Sequence, residues 1–194
     1  MKILAFVDLH GNMKMLDSIV QRSRQADLVL CAGDISNFEH NLDKLLKKLN
    51  TAYKPVIIIP GNHEGEEYLE AECNKYENLI YLHKGLFQLE DLTIVGYGSG
   101  GFASKDSRFE SFTRRIEKHV SGKLVLLTHG PPYGNKLDFI YGEHCGNKSY
   151  NKFIKRLKPV LAISGHLHET AGAEDSIGIT RLANPGPRGK IFLI

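Results

Sequence analysis

The sequence predicts an α/β protein built as a four-layer αββα sandwich, with two mixed β-sheets packed face to face and helices on the outside. Three observations carry that expectation. Five short apolar runs, at residues 3–7, 28–32, 56–59, 124–128 and 160–164, have the unbroken hydrophobicity of strands buried on both faces. Amphipathic segments separate the first three runs. Short, turn-bounded strand candidates fill much of the remaining chain.

Between the first and second runs, residues 15–23 place apolar side chains at i, i+3, i+4 and i+7, and residues 41–49 repeat the pattern before the third. Residues 66–76 read as a third helix. Strand–helix–strand–helix–strand implies right-handed crossovers and a parallel sheet core. Residues 78–83, 86–90, 92–98, 170–175, 177–183 and 190–194 read as short strands of a second, largely antiparallel sheet. No internal repeat or low-complexity linker interrupts the chain, so residues 1–194 are expected to form a single domain.

Composition narrows the function class. Hydrophobic residues at 42% and charged residues at 24% are globular values that argue against disorder. A net charge of +3, without a clustered Lys/Arg stripe, is too weak for a dedicated nucleic-acid binder. The three cysteines share no close spacing, so neither a disulfide framework nor a thiolate zinc knot is expected, and a reducing, cytoplasmic setting is. The N-terminal apolar run is broken by Asp8 and His10, too short for a signal segment or a bilayer span. No membrane partner is expected.

The residues just past each buried run are unusual. The five runs continue as Asp8-Leu9-His10-Gly11, Gly33-Asp34, Gly61-Asn62-His63-Glu64, His129-Gly130 and Gly165-His166-Leu167-His168. In open α/β sheets, ligands bind beyond the carboxyl ends of the strands. The pattern therefore delivers Asp8, His10, Asp34, Asn62, His63, His129, His166 and His168 to one edge. Carboxylate and imidazole donors without thiolate suit Mn, Fe, Zn, Co or Ni. They are too many for one ion and suit a pair about 3.5–4 Å apart, the arrangement that clamps a phosphoryl displacement.

Each ending has an ordinary explanation alone. Asn62 reads as a helix N-cap, with Glu64, Glu66 and Glu67 favouring the dipole of the next helix. Asp8 and Asp34 read as turn aspartates. Those explanations must hold independently at five strand ends. Elsewhere the ordinary reading stands. Gly96, Gly98 and Gly101 fit a G-x-G-x-x-G spacing without the βαβ context of a dinucleotide site. His40, His83 and His119 read as surface or core residues. His144, in the glycine-bearing segment after His129, is a candidate substrate contact overhanging the edge.

These motifs, in this order over residues 8–168, resemble the full set of the calcineurin-like metallophosphoesterases. The 128–134 segment "THGPPYG" resembles the branch of metallophosphoesterase-domain-containing proteins, and "NPGP" at 184–187 a closing turn of small members. The resemblance implies one divalent ion held by Asp8, His10, Asp34 and His168, and a second by Asp34, Asn62, His129 and His166. Mn is the first choice, with Fe, Zn, Ni or Co as alternatives. Asp34 is then the bridge, a metal-bridging hydroxide the nucleophile, and His63 the general acid.

Two divalent ions less the charges of Asp8, Asp34 and that hydroxide leave one positive charge, which a phosphodiester neutralises. A dianionic monoester needs a further cation, such as an arginine clamp. Protein phosphatases of the superfamily carry an Asp-Arg pair where this chain has Asn37 and Phe38. A phosphodiesterase acting on a small phosphoester, nucleotides included, is the leading expectation. A phosphomonoesterase, a nuclease and a noncatalytic scaffold on the same fold are the alternatives. Oligomeric state is left open.

Overall fold

The computed structural model describes all 194 residues. In chain order the elements are β1 (Lys2–Phe6), α1 (Met13–Arg22), β2 (Leu28–Cys31), α2 (Leu42–Leu49), β3 (Val56–Ile58), α3 (Glu66–Cys73), β4 (Leu79–Tyr81), β5 (Gly85–Leu89) and β6 (Leu92–Tyr97). Then come α4 (Ser107–Ile116), β7 (Lys123–Thr128), β8 (Phe139–Ile140), β9 (Glu143–His144), α5 (Lys148–Leu157), β10 (Leu161–Ile163), β11 (Glu174–Ile177), β12 (Thr180–Ala183) and β13 (Lys190–Leu193). The first sheet has the order β13-β1-β2-β3-β4 and the second β11-β12-β10-β7-β6-β5, with β8 and β9 forming a separate hairpin.

Strand alternation builds the four layers. Leu4, Phe6, Val29, Cys31, Val56 and Ile58 face Leu16, Ile19, Leu45, Leu46 and Leu49 of α1 and α2. The intervening positions Ile3, Ala5, Val7, Leu28, Leu30 and Ile57 face the second sheet and meet Ile94, Val125, Leu127, Leu161 and Ile163. On the far side Leu124, Leu126, Ala162 and Leu182 pack against Phe109, Phe112, Phe153 and Ile154 of α4 and α5. Each buried Val, Leu, Ile or Phe among them contributes about 1.5–3 kcal/mol by leaving water. The αββα sandwich is as expected, and no helix is long and apolar enough to cross a membrane.

The second sheet corrects one expectation. Three of its five pairings are parallel, β10 with β12, β10 with β7 and β6 with β7; only the edges β11 and β5 are antiparallel. The reason is α4 and α5, which supply helical crossovers between β6, β7 and β10. Both begin with side-chain caps: Asp106 accepts the Phe109 N–H at 2.9 Å and Asn147 the Ser149 N–H at 2.8 Å. Residues 78–83 also change place, since β4 extends the first sheet in parallel with β3, and β13 closes its other edge antiparallel to β1. Thr170 lies in a single turn of tighter helix, so β11 starts only at Glu174.

Candidate metal centre

All five buried runs end at one rim of the sandwich, three from the first sheet and two from the second, each strand parallel to its partners among them. The two sheets are tied together there. The His129 ring reaches across to the Ala32 carbonyl (Nδ1 to O 2.9 Å), and the His166 backbone N–H donates to the Asp8 carboxylate at 3.0 Å.

Glycine makes the loops fit. A Cβ on Gly33 would lie 2.5 Å from the Gly61 nitrogen, one on Gly61 1.9 Å from Asp34 Oδ1, and one on Gly165 2.7 Å from Asp8 Oδ2. Asp8, His10, Asp34 and His166 have φ values of 57°, 46°, 51° and 70°. Left-handed backbone is unfavourable for side chains of this kind and concentrates at functional sites.

The side chains converge. Asp34 Oδ2 lies 3.4 Å from His129 Nε2, 3.7 Å from His10 Nε2 and 3.9 Å from His63 Nε2. Asn62 Oδ1 lies 2.9 Å from both His129 Nε2 and His166 Nδ1. His10 Nε2 and His168 Nε2 face each other at 2.9 Å. Donor atoms within 4.8 Å of one another group as Asp8–His10–His168, His10–Asp34–His63 and Asp8–Asp34–His129. Both carboxylates therefore border two groups. Of the residues expected at the edge, His144 alone is held elsewhere. Its Nδ1 pairs with Asp138 Oδ1 at 2.8 Å, and its ring lies against Phe139 and Tyr133.

Neighbouring groups fix which nitrogens are free. His129 Nδ1–H donates to the Ala32 carbonyl, leaving the Nε2 lone pair toward the cluster. Asn37 Oδ1 lies 2.9 Å from His10 Nδ1 and Asn37 Nδ2 donates to the His10 carbonyl, so His10 is turned with Nε2 inward. His166 Nε2 is buried without a partner. The Phe38 N–H lies 3.4 Å from His63 Nδ1, and the ring is turned with Nε2 toward Asp34.

Burial and crowding shift the acidities. Burial pushes Asp8 up to about 6, a rise that the His129 charge opposes and Asp34 reinforces. Burial and the nearby His129 push His166 down to about 4, and burial also lowers His10. For Asp34, burial is outweighed by the His129 hydrogen bond and charge, so its acidity is strengthened; His129 moves up in turn against its own burial. Two carboxylates, one amide oxygen and several imidazoles concentrated in this way fit divalent ions of borderline hardness.

Sequence reasoning missed the carboxylate beneath these loops. Glu64, 5% exposed, accepts hydrogen bonds from the Asp34, Ser36 and Gly61 N–H groups and from Ser36 Oγ. It holds the Gly33-Asp34 and Gly61-Asn62 loops together rather than starting α3, whose N-cap is Gly65 and not Asn62. Asn184 was legible only as a turn residue. Buried, it donates from Nδ2 to the Leu167 carbonyl, bracing the His166–His168 segment. Beside His10 a groove of about 350 Å³ is lined by Met13, Asn37, His40, Asn41 and Lys44.

Fold, rim and donor set together describe an αββα sandwich with a candidate divalent-metal centre at the ends of its strands. A calcineurin-like phosphoesterase family model matches residues 1–170, and the chain belongs to that family. The UPF0046 protein T07D4.2 of Caenorhabditis elegans is 29% identical over 199 residues, which cover 81% of this chain and 50% of that one. A probable glycerophosphodiester phosphodiesterase, GpdQ of Arcobacter nitrofigilis, is 27% identical over 161 residues, covering 75% of this chain and 58% of its own. The chain thus spans between half and three fifths of the length of these relatives. The solved structure of TT1561 of Thermus thermophilus superposes with a TM-score of 0.77 at 16% identity, over 95% of this chain and 88% of that one, which shows the shared fold.

Proposed function

We propose that this chain, as a single domain over residues 1–194, is a phosphodiesterase with two divalent ions. Asp8, His10, Asp34 and His168 would hold one, and Asp34, Asn62, His129 and His166 the other. The carrying observation is the position of Asp34, whose Oδ2 lies within 3.9 Å of histidine nitrogens from three different loops. Bound ions, Mn first among them, supply Lewis acidity and a water acidic enough to ionise near neutral pH.

The chain's own residues do the rest. Asn37 and the Ala32 carbonyl orient the His10 and His129 rings. His63, whose Nε2 lies 3.9 Å from Asp34 Oδ2, would act in its protonated form, passing the Nε2 proton to the departing ester oxygen and returning to the neutral ring, a role worth roughly 10²–10⁴-fold. The diester preference rests on the two residues that stand three and four positions after Asp34. Asn37 is spent on His10, and Phe38 offers a ring in place of a phosphate-binding guanidinium. The probable phosphodiesterase among the relatives agrees with that reading.

Matched methyl esters of one alcohol, as diester and monoester, should separate the readings when assayed with Mn, Ni, Co and Zn. The diester is expected to react faster, with Asp34→Asn and His63→Gln each losing at least about 100-fold in kcat. Normal turnover in both variants removes the mechanism, and a faster monoester removes the diester preference.

A further inference from the structure

Two phenylalanines at the rim stand in water. Phe38 is 78% exposed and Phe102 64% exposed. Single exposed apolar residues are ordinary. These two each lie on a histidine of the candidate centre. The Phe38 ring is 4.2 Å from the His63 ring, at 37°, and the Phe102 ring 4.7 Å from the His166 ring, at 55°. His63 follows Asn62, which itself touches His166, so a run of contacts joins one phenylalanine to the other through the centre.

The Phe38 ring cannot retreat cheaply. Phe38 sits in a turn where it, Glu39 and Asn41 have φ values of 47°, 63° and 54°. The turn is pinned on both sides: the Glu39 N–H donates to Ser36 Oγ at 3.1 Å, and the Gly65 N–H to Glu39 Oε1 at 2.8 Å. The segment before Phe102 is tied to the loop carrying Asn62 and His63 by the Ser99 N–H, which donates to the Pro60 carbonyl at 2.7 Å. Positive φ at non-glycine residues clusters at ligand clamps and active sites, and at Phe38 it holds an apolar ring in water.

From this we infer that Phe38 and Phe102 form an aromatic clamp selecting phosphodiesters that carry a planar ring on one ester arm. The inference rests on the proposed phosphodiesterase reading and adds its substrate class. Rings of every base stack on aromatic side chains, so the clamp reads planarity and not a hydrogen-bond pattern.

Three methyl phosphodiesters test this, with thymidine 5′, benzyl and ribose 5 arms, followed by phosphorus NMR on the Mn-loaded protein and by calorimetric binding. The thymidine and benzyl esters are expected to surpass the ribose ester by about 10-fold in kcat/KM, carried by KM. Phe38→Leu with Phe102→Leu should bring that ratio to within about 3-fold of one, while Phe38→Tyr with Phe102→Tyr keeps it. Preference for both flat arms supports the clamp; preference for thymidine alone overturns a clamp that reads planarity. No preference in the unaltered chain, or one that survives the leucine pair, overturns the clamp. If no ester is hydrolysed, the phosphodiesterase reading falls and binding decides the clamp by the same ratio. Equal affinities then overturn it.

Discussion

Two buried carboxylates hold the two halves of the rim in different ways. Glu64, on the first-sheet side, accepts from three backbone N–H groups and one hydroxyl, with no cation in contact. Asp138, fully buried on the second-sheet side, accepts from the Gly134, Asn135 and Gly146 N–H groups and from His144 Nδ1. Each satisfies four donors. Their loads differ: Glu64 joins two loops that present Asp34, Asn62 and His63, whereas Asp138 shapes the 134–146 loop and its hairpin. The same chemistry therefore supports the candidate metal centre on one side and the 134–146 loop with its hairpin on the other.

The largest effect expected from that difference is at Glu64. Glu64→Ala leaves four buried donors unpaired and should cost about 3–5 kcal/mol in urea unfolding of the chelated protein. Glu64→Gln, which keeps the shape, should still weaken Mn affinity about 10–100-fold in a chelator competition, the usual consequence of losing a supporting hydrogen bond. Asp138→Asn should cost less, about 1–2 kcal/mol, and should speed amide exchange at Gly134, Asn135 and Gly146. Its Mn affinity should stay within about twofold of the parent. Equal loss of metal affinity in the two variants breaks the comparison.

Neither brace was legible in the sequence, for a physical reason. The apolar runs and the polar residues that end them are local patterns, so most of the first sheet and the convergence of Asp8, Asp34, Asn62, His129 and His166 could be read directly. Glu64 satisfied a local rule too, as an acid before a helix, and the rule hid its use. Its partners Asp34 and Ser36 are about 30 residues away, and only the close approach of Gly33 and Gly61 brings them within reach. The parallel core of the second sheet was hidden similarly. The residues of α4 bury Phe109, Phe112 and Thr113 on a face that short-range alternation did not reveal. Where the chain stands in water the sequence was silent: nothing in Asn37-Phe38 indicates that the ring stays exposed against His63.

The smallest predicted effect lies at the seam between the halves. His83, which follows β4, has its side chain 5% exposed and accepts the Gly98 N–H on Nδ1 at 2.9 Å, just past the end of β6. Gly96 and Gly98 allow the approach, since a Cβ there would lie 2.1 Å from the Leu82 carbonyl and 2.3 Å from that of Pro60. Burial pushes His83 from 6.5 down to about 4, against the pull of Glu66. Between those values the unfolded chain binds a proton that the folded chain refuses, so stability rises with pH across the window. The contribution is complete above pH 6.5 and is lost as pH falls toward 4. His10 and His166 add slope of the same sign and Asp8 of the opposite sign, but all three are common to the parent and a His83→Gln variant. The difference between the two chelated proteins isolates His83 together with its partner Glu66. The parent should lose roughly 1–3 kcal/mol more than the variant on acidification from pH 6.5 to 4. Parallel urea-midpoint curves would show that this seam does not depend on a neutral imidazole, and that glycine-permitted backbone contact suffices there.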